Sequence, residues 1–209
     1  MNFKLLKNKQ GTTLIEVLVA SAALIIGLAA ILSSALAFLN VTVFSKNDLI
    51  ASQMAREAIE VVRNLRDENR LNGKAFDYLD ATDTLTTNVD QAIIKFANNP
   101  FKGKFLIEHI DSAMDNCITD QSCQLHFSPL YNLYGNGNLG DPNETVVNFY
   151  RLLTFTAIEC NADTVFNDWI GSICNTGEII GLEIKATVKW YKNSQLQSVE
   201  VADKLFDWQ

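Results

Sequence analysis

From Val17 to Ser45 the chain carries no ionisable side chain, and roughly 20 apolar residues are enough to cross the hydrocarbon layer of a bilayer. That run predicts a membrane-spanning helix. The pattern changes after Lys46 without a break. Ile50, Met54, Ala58, Val61 and Leu65 fall on one stripe by steps of three and four, with Arg56, Glu57, Glu60, Arg63 and Asp67 elsewhere. No proline interrupts the run, and Gly73 just past Leu71 suits a left-handed terminator, so one helix is expected from about residue 13 to about residue 71. Arg56 with Glu60 and Arg63 with Asp67 are spaced to pair along its exposed side.

The remainder reads differently. In GLEIKATVKWYK, Leu182, Ile184, Ala186, Val188 and Trp190 alternate with Glu183, Lys185, Thr187 and Lys189, which predicts a strand with one buried face. A turn at Asn193 and Ser194 leads into QSVEVADKLFDW and makes a hairpin, and TVVNFYRLLTFTAIEC from Thr145 supplies another strand. In the middle, VDQAIIKFANNP reads as a short helix ended by Pro100 and KFLIEHI as a strand. HFSPLYNLYGNGNLGDPNET reads as a long loop. An antiparallel sheet needs a cover for its apolar face, and the helical stripe is the available one. The expectation is an α+β fold, a long N-terminal helix packed on a C-terminal antiparallel sheet.

Composition narrows the partners. With 48% hydrophobic and 20% charged residues among 209, this is a folding sequence. Its net charge is -7, and the only basic cluster is Lys4, Lys7 and Lys9, which argues against nucleic acid as a partner. Those lysines precede the apolar run and an acidic region follows it, so residues 1–11 are expected in the cytoplasm and the bulk of the chain outside. A cleaved secretory signal is the weaker alternative, because its apolar region spans only about 7 to 15 residues.

All four cysteines fall in the exported part. Two disulfides are expected, Cys117 with Cys123 and Cys160 with Cys174, each closing a loop of polar and turn residues; sequence leaves crossed pairing open. Zinc on Cys117, Cys123 and His126 is disfavoured, since no CxxC knuckle or fourth ligand is in register. No cofactor is expected. Asp141, Asn143 and Glu144 crowd oxygen ligands into the 135–144 loop, but EF-hand spacing for calcium is missing. Gly135, Gly137 and Gly140 match GxGxxG, yet Asp141 and Pro142 follow at once where a helix would be needed. His109 and His126 stand beside no plausible nucleophile in sequence, and Trp169, Trp190 and Trp208 suit core anchors, so no enzyme is expected.

A short lysine leader ending in Gly11, then TTLIEVLVA, then a long apolar helix continuing into an amphipathic one and a sheet: this resembles a type IV prepilin or pseudopilin. The resemblance is specific from Gly11 to about Leu39 and architectural beyond. It implies cleavage after Gly11 by a prepilin peptidase, N-methylation of Thr12, and a glutamate at the fifth mature position, which is Glu16. The family usually begins its mature chain with phenylalanine, where Thr12 stands here. Many major pilins carry a helix-kinking proline near the place of Ser33, and its absence leans toward minor pilins or pseudopilins. FYRLLTF, ATVKWYK and the closing LFDW also resemble minor pilins of the pilus-modification type.

The resemblance gives Glu16 a purpose. A charge in a water-poor helical core is costly unless paired, and the family implies that Glu16 meets the terminal amine of a neighbouring subunit and fixes the stagger. From physics alone, Glu16 neutralising its own terminus four residues away is an equal candidate. Leu14, Ile15, Leu18, Leu24, Ile25, Ile26, Leu28, Ile31 and Leu32 would face first lipid and later other helices. The small residues from Ala20 to Ala30 would let helices approach closely.

The expected organisation is a leader at 1–11, a fibre-core helix at 12–45, its amphipathic continuation at 46–73 and an exported sheet domain at 74–209. The loops Leu125 to Glu144 and Cys160 to Cys174 would be the exposed regions that contact partners. The expected role is a structural subunit of a type IV pilus-like fibre. Its partners would be other pilin subunits, the prepilin peptidase, an inner-membrane assembly platform and, before assembly, membrane lipid. The alternatives are a pseudopilin of a type II secretion machine and an uncleaved, signal-anchored binding domain.

Overall fold

The computed structural model describes residues 14–75, 90–97, 104–110, 113–137, 139–160 and 179–206. The chain divides into two compact units, Met1–Lys46 and Asn47–Gln209. Helix α1, Leu14–Leu71, runs through both, close to the span its pattern predicts. It ends as Gly73 suggested. Gly73 has φ +67, the Lys74 amide donates to the Asn69 carbonyl at 2.8 Å, and the Gly73 amide donates to Arg70 at 3.0 Å. This is the pair of bonds by which a left-handed residue closes a helix.

Among the described residues of the second unit, seven strands form one antiparallel sheet: β1 Asp90–Ala97, β2 Lys104–His109, β3 Gln124–Ser128, β4 Leu133–Asn136, β5 Thr145–Glu159, β6 Ile179–Lys192 and β7 Gln195–Phe206. The long strand β5 is central. One side pairs with β6 from Phe149 to Glu159. The other side forks, with Asp90–Ala92 of β1 beside Leu153–Phe155 and β3 beside Thr145, Val146 and Tyr150. At the fork buried Asn136 stands in for ladder bonds: its Nδ2 donates to the Cys123 carbonyl at 2.8 Å and its Oδ1 accepts from the Ile94 amide at 3.3 Å. The β6–β7 hairpin closes through Asn193 and Ser194, with φ 48 and 64, the two-residue turn that matches strand twist.

The alternation predicted for β6 holds. Leu182, Ile184, Ala186, Val188 and Trp190 are all buried, on the same face as Arg151, Leu153 and Phe155 of β5 by the pairing register. The amphipathic part of α1 covers this face. Its buried residues are Ala51, Met54, Ala55, Ala58, Ile59, Val61, Val62 and Asn69. Ile50 and Leu65, expected on the stripe, are half-buried at its margins. Three of these are alanines, whose small side chains allow a close approach of helix and sheet, and Arg151 of β5 reaches the Met54 carbonyl across the contact. Part of the other face is covered by the short helix α2, Met114–Thr119, where Cys117 and Cys123 pack on Ile93, Tyr150 and Leu152.

Three expectations need correction. VDQAIIKFANNP holds the strand β1 rather than a helix, because Ala92, Ile93, Ile94 and Phe96 are all buried: a run covered on both faces loses the alternation that marks a strand. The predicted loop from His126 contains the β3–β4 hairpin, with His126 beside Gly135 and Phe127 beside Tyr134. The charges of α1 also pair differently: Arg63 bonds Glu60 and, from β7, Asp203, while Asp67 pairs with its neighbour Arg66.

Candidate functional site

The strongest feature is the first half of α1. Its most apolar stretch is left unburied; Leu14, Ile15, Leu24, Ile26, Leu28 and Ile31 are each more than half exposed. A core helix of the same composition would be covered by its own protein. Three hydroxyls in this segment are turned inward to the backbone: Ser21 Oγ donates to the Leu18 carbonyl, Ser33 Oγ to Ala29 and Thr42 Oγ1 to Phe38, each at 2.9 Å. Such bonds satisfy polar groups where solvent supplies no partner. The sequence pattern does not announce them. The segment is long and apolar enough to cross a membrane once.

Glu16 lies in the first turn of α1 and is exposed. There a carboxylate meets the positive end of the helix dipole. Gly11 and Thr12 lie outside the described residues, as do Trp169, Cys174 and Trp208.

Elsewhere the expected chemistry resolves into structural bonds. Cys117 and Cys123 form a disulfide with Cα atoms 5.3 Å apart, which removes both from the zinc set considered with His126. Cys160 is also disulfide-bonded. His126 Nδ1 lies 2.9 Å from Glu144 Oε1, and Glu144 Oε2 accepts from the Leu139 amide at 2.8 Å. Buried Asp141 accepts from Ser128 Oγ at 2.6 Å and the Leu130 amide at 2.9 Å through Oδ2, and from the Asn143 amide at 2.9 Å through Oδ1. The Ser128 hydroxyl above all, then the two amides, hold its carboxyl below the usual range. The loop's carboxylates therefore pin the β3–β4 turn. The GxGxxG residues serve the same loop: Gly137 and Gly140 have φ +73 and +70, and a Cβ on Gly135 would sit 2.6 Å from Leu139 Cδ2. His109 is exposed at the end of β2, and Trp190 is buried under α1.

One functional candidate escaped the sequence. Arg151, in the β5 run FYRLLTF, is 1% exposed. Its Nη1 donates to the Met54 carbonyl at 3.2 Å. Among the described residues Nε and Nη2 have no hydrogen-bond partner. Burial pulls its pKa down to about 10, opposed by the charge of Glu57, so it stays charged at neutral pH. Burial raises the Glu57 carboxyl, with Arg151 opposing. Glu57 also lines an open groove of about 490 Å³ between α1 and β7, beside Arg56, Arg63 and Asp203. A cation inside the otherwise apolar run FYRLL is the one signal that marked Arg151.

No family model, characterised protein or solved structure matches this chain.

Proposed function

We propose that the chain is a structural subunit, of minor-pilin type, of a type IV pilus-like fibre, processed after Gly11 and assembled through the apolar half of α1. The observation that carries this reading is a helical segment apolar on every side and unburied by its own chain, with one carboxylate, Glu16, in its first turn. Apolar surface of that extent requires an outside partner. Lipid fills the role in the precursor, with the sheet domain beyond the cytoplasmic membrane, and neighbouring helices fill it in the fibre.

Cleavage leaves an amine on Thr12. In a fibre core with little water, Glu16 of one subunit offsets the amine of the next and sets the register between them, which is the best attested use of a buried ion pair. No catalytic step is assigned to the chain. A pseudopilin of a secretion machine shares this chemistry and differs in which machine the fibre serves.

The test is Glu16→Ala in the native cell. The variant is expected to be inserted and cleaved as the parent is, and to be lost from sheared fibres. Incorporation at the parental level would contradict the role given to Glu16.

A further inference from the structure

Strand β7 is an unusual edge. Among the described residues the only strand it pairs with is β6, while its Asp203 side chain accepts from Arg63 of α1. Its 12 residues pair with β6 without any shift of register and contain no proline, whereas the β5–β6 and β3–β5 ladders are each interrupted. Long regular edges are templates for pairing with another strand, and proteins usually blunt them with bulges, prolines or short length. The device left on β7 is charge: Glu200, Asp203 and Lys204.

Those charges select a partner. In antiparallel pairing of β7 with itself, a twofold through Glu200 or Asp203 would set like charges face to face. A twofold through Val199 or Val201 would set the charges opposite neutral residues. A twofold through Ala202 sets Glu200 of each strand opposite Lys204 of the other, Val199 opposite Leu205 and Val201 opposite Asp203. Opposite charges directly across a pair stabilise it, and like charges oppose it. Ala202 and Lys204 are exposed, and Glu200 holds only a loose 3.8 Å contact with Lys185 of β6.

We propose that β7 pairs antiparallel with β7 of a second copy of this chain, about a twofold axis through Ala202. The contact is closed and isologous, so it is separate from any helix contact that would extend a fibre. It rests on the edge alone, and the fibre reading can fail without it.

The test uses the full chain in its native membrane. Ala202→Cys puts two thiols on the axis, within the Cα separation of roughly 4.4 to 6.8 Å that a disulfide needs. Lys185→Cys, on the same face one strand inward, is the control and is separated across the pair by three strand spacings of about 4.8 Å each. Mild oxidation is expected to give a covalent dimer from Ala202→Cys and not from Lys185→Cys. Adding Lys204→Glu to Ala202→Cys should lower the dimer yield about tenfold, and adding Glu200→Lys to that variant should restore it. Equal cross-linking at both positions, no dimer at Ala202→Cys, or a yield indifferent to the charge reversal would each overturn the proposal.

Discussion

The two halves of α1 obey the same helical geometry and end with opposite fates. Before Lys46 apolar residues cover every side and the most apolar stretch is left unburied. After it they cover one side, and that side is buried against the sheet. The width of the apolar surface encodes where the partner lies. A stripe on one side is matched by one sheet face in the same chain, whereas a surface that is apolar all round exceeds anything the described residues supply. Polar groups follow the same division: Ser21, Ser33 and Thr42 of the first half bond back to its own carbonyls, while Arg63 of the second half reaches across to Asp203 of the sheet.

Removing the cation beneath the second half should have the largest effect. Arg151→Ala takes away the bond to Met54 and opens a cavity under α1, at a cost of about 2 to 5 kcal/mol. Chemical denaturation of the folded unit, followed by circular dichroism, reads it, and membrane insertion of the first half should be untouched. The reciprocal change, Ile26→Arg at the centre of the apolar run, should cost about 2.5 to 3.5 kcal/mol of insertion free energy. It would lower the membrane-integrated fraction on carbonate extraction and leave the sheet folded.

A pH series separates the halves further. The folded state holds the Glu57 proton more tightly than the unfolded chain, because burial raises its pKa above the ordinary 4.5. Its contribution is therefore fully present below the ordinary value and is lost as pH rises through the raised one. Denaturation midpoints of Glu57→Gln should lack that decline. The smallest effect is expected from Asp203→Asn, which weakens a partly exposed pair with Arg63 whose donor nitrogen lies 2.8 Å away. Double-mutant cycles should return about 0.2 to 1 kcal/mol for it.

How much could be read from sequence depended on whether burial was one-sided. β6 was legible because Leu182 to Trp190 alternate with solvent-facing charges, and the end of α1 was legible because Gly73 takes a conformation that other residues avoid. β1 was not, since Ile93 faces the disulfide cluster while its neighbour Ile94 is buried as well. The β3–β4 hairpin hid behind turn formers, and it is held by bonds beyond its own ladder: Asp141 accepts from Leu130 in the turn, and Asn136 of β4 donates to the Cys123 carbonyl. The charge partners of α1 were misassigned because local spacing ranks neighbours along one helix and carries no information about Asp203 on a strand 140 residues away. For the apolar half the sequence reached the need for a partner, and the motif around Gly11 and Glu16 supplied the expectation of which one.

That expectation is tested most directly at the N-terminus. Intact-mass and N-terminal peptide analysis of the chain from its native cell should find a mature form that begins at Thr12, with one added methyl on its amine. A chain that begins at Met1 in every fraction, membrane and fibre alike, would contradict processing after Gly11 and leave α1 as a simple anchor.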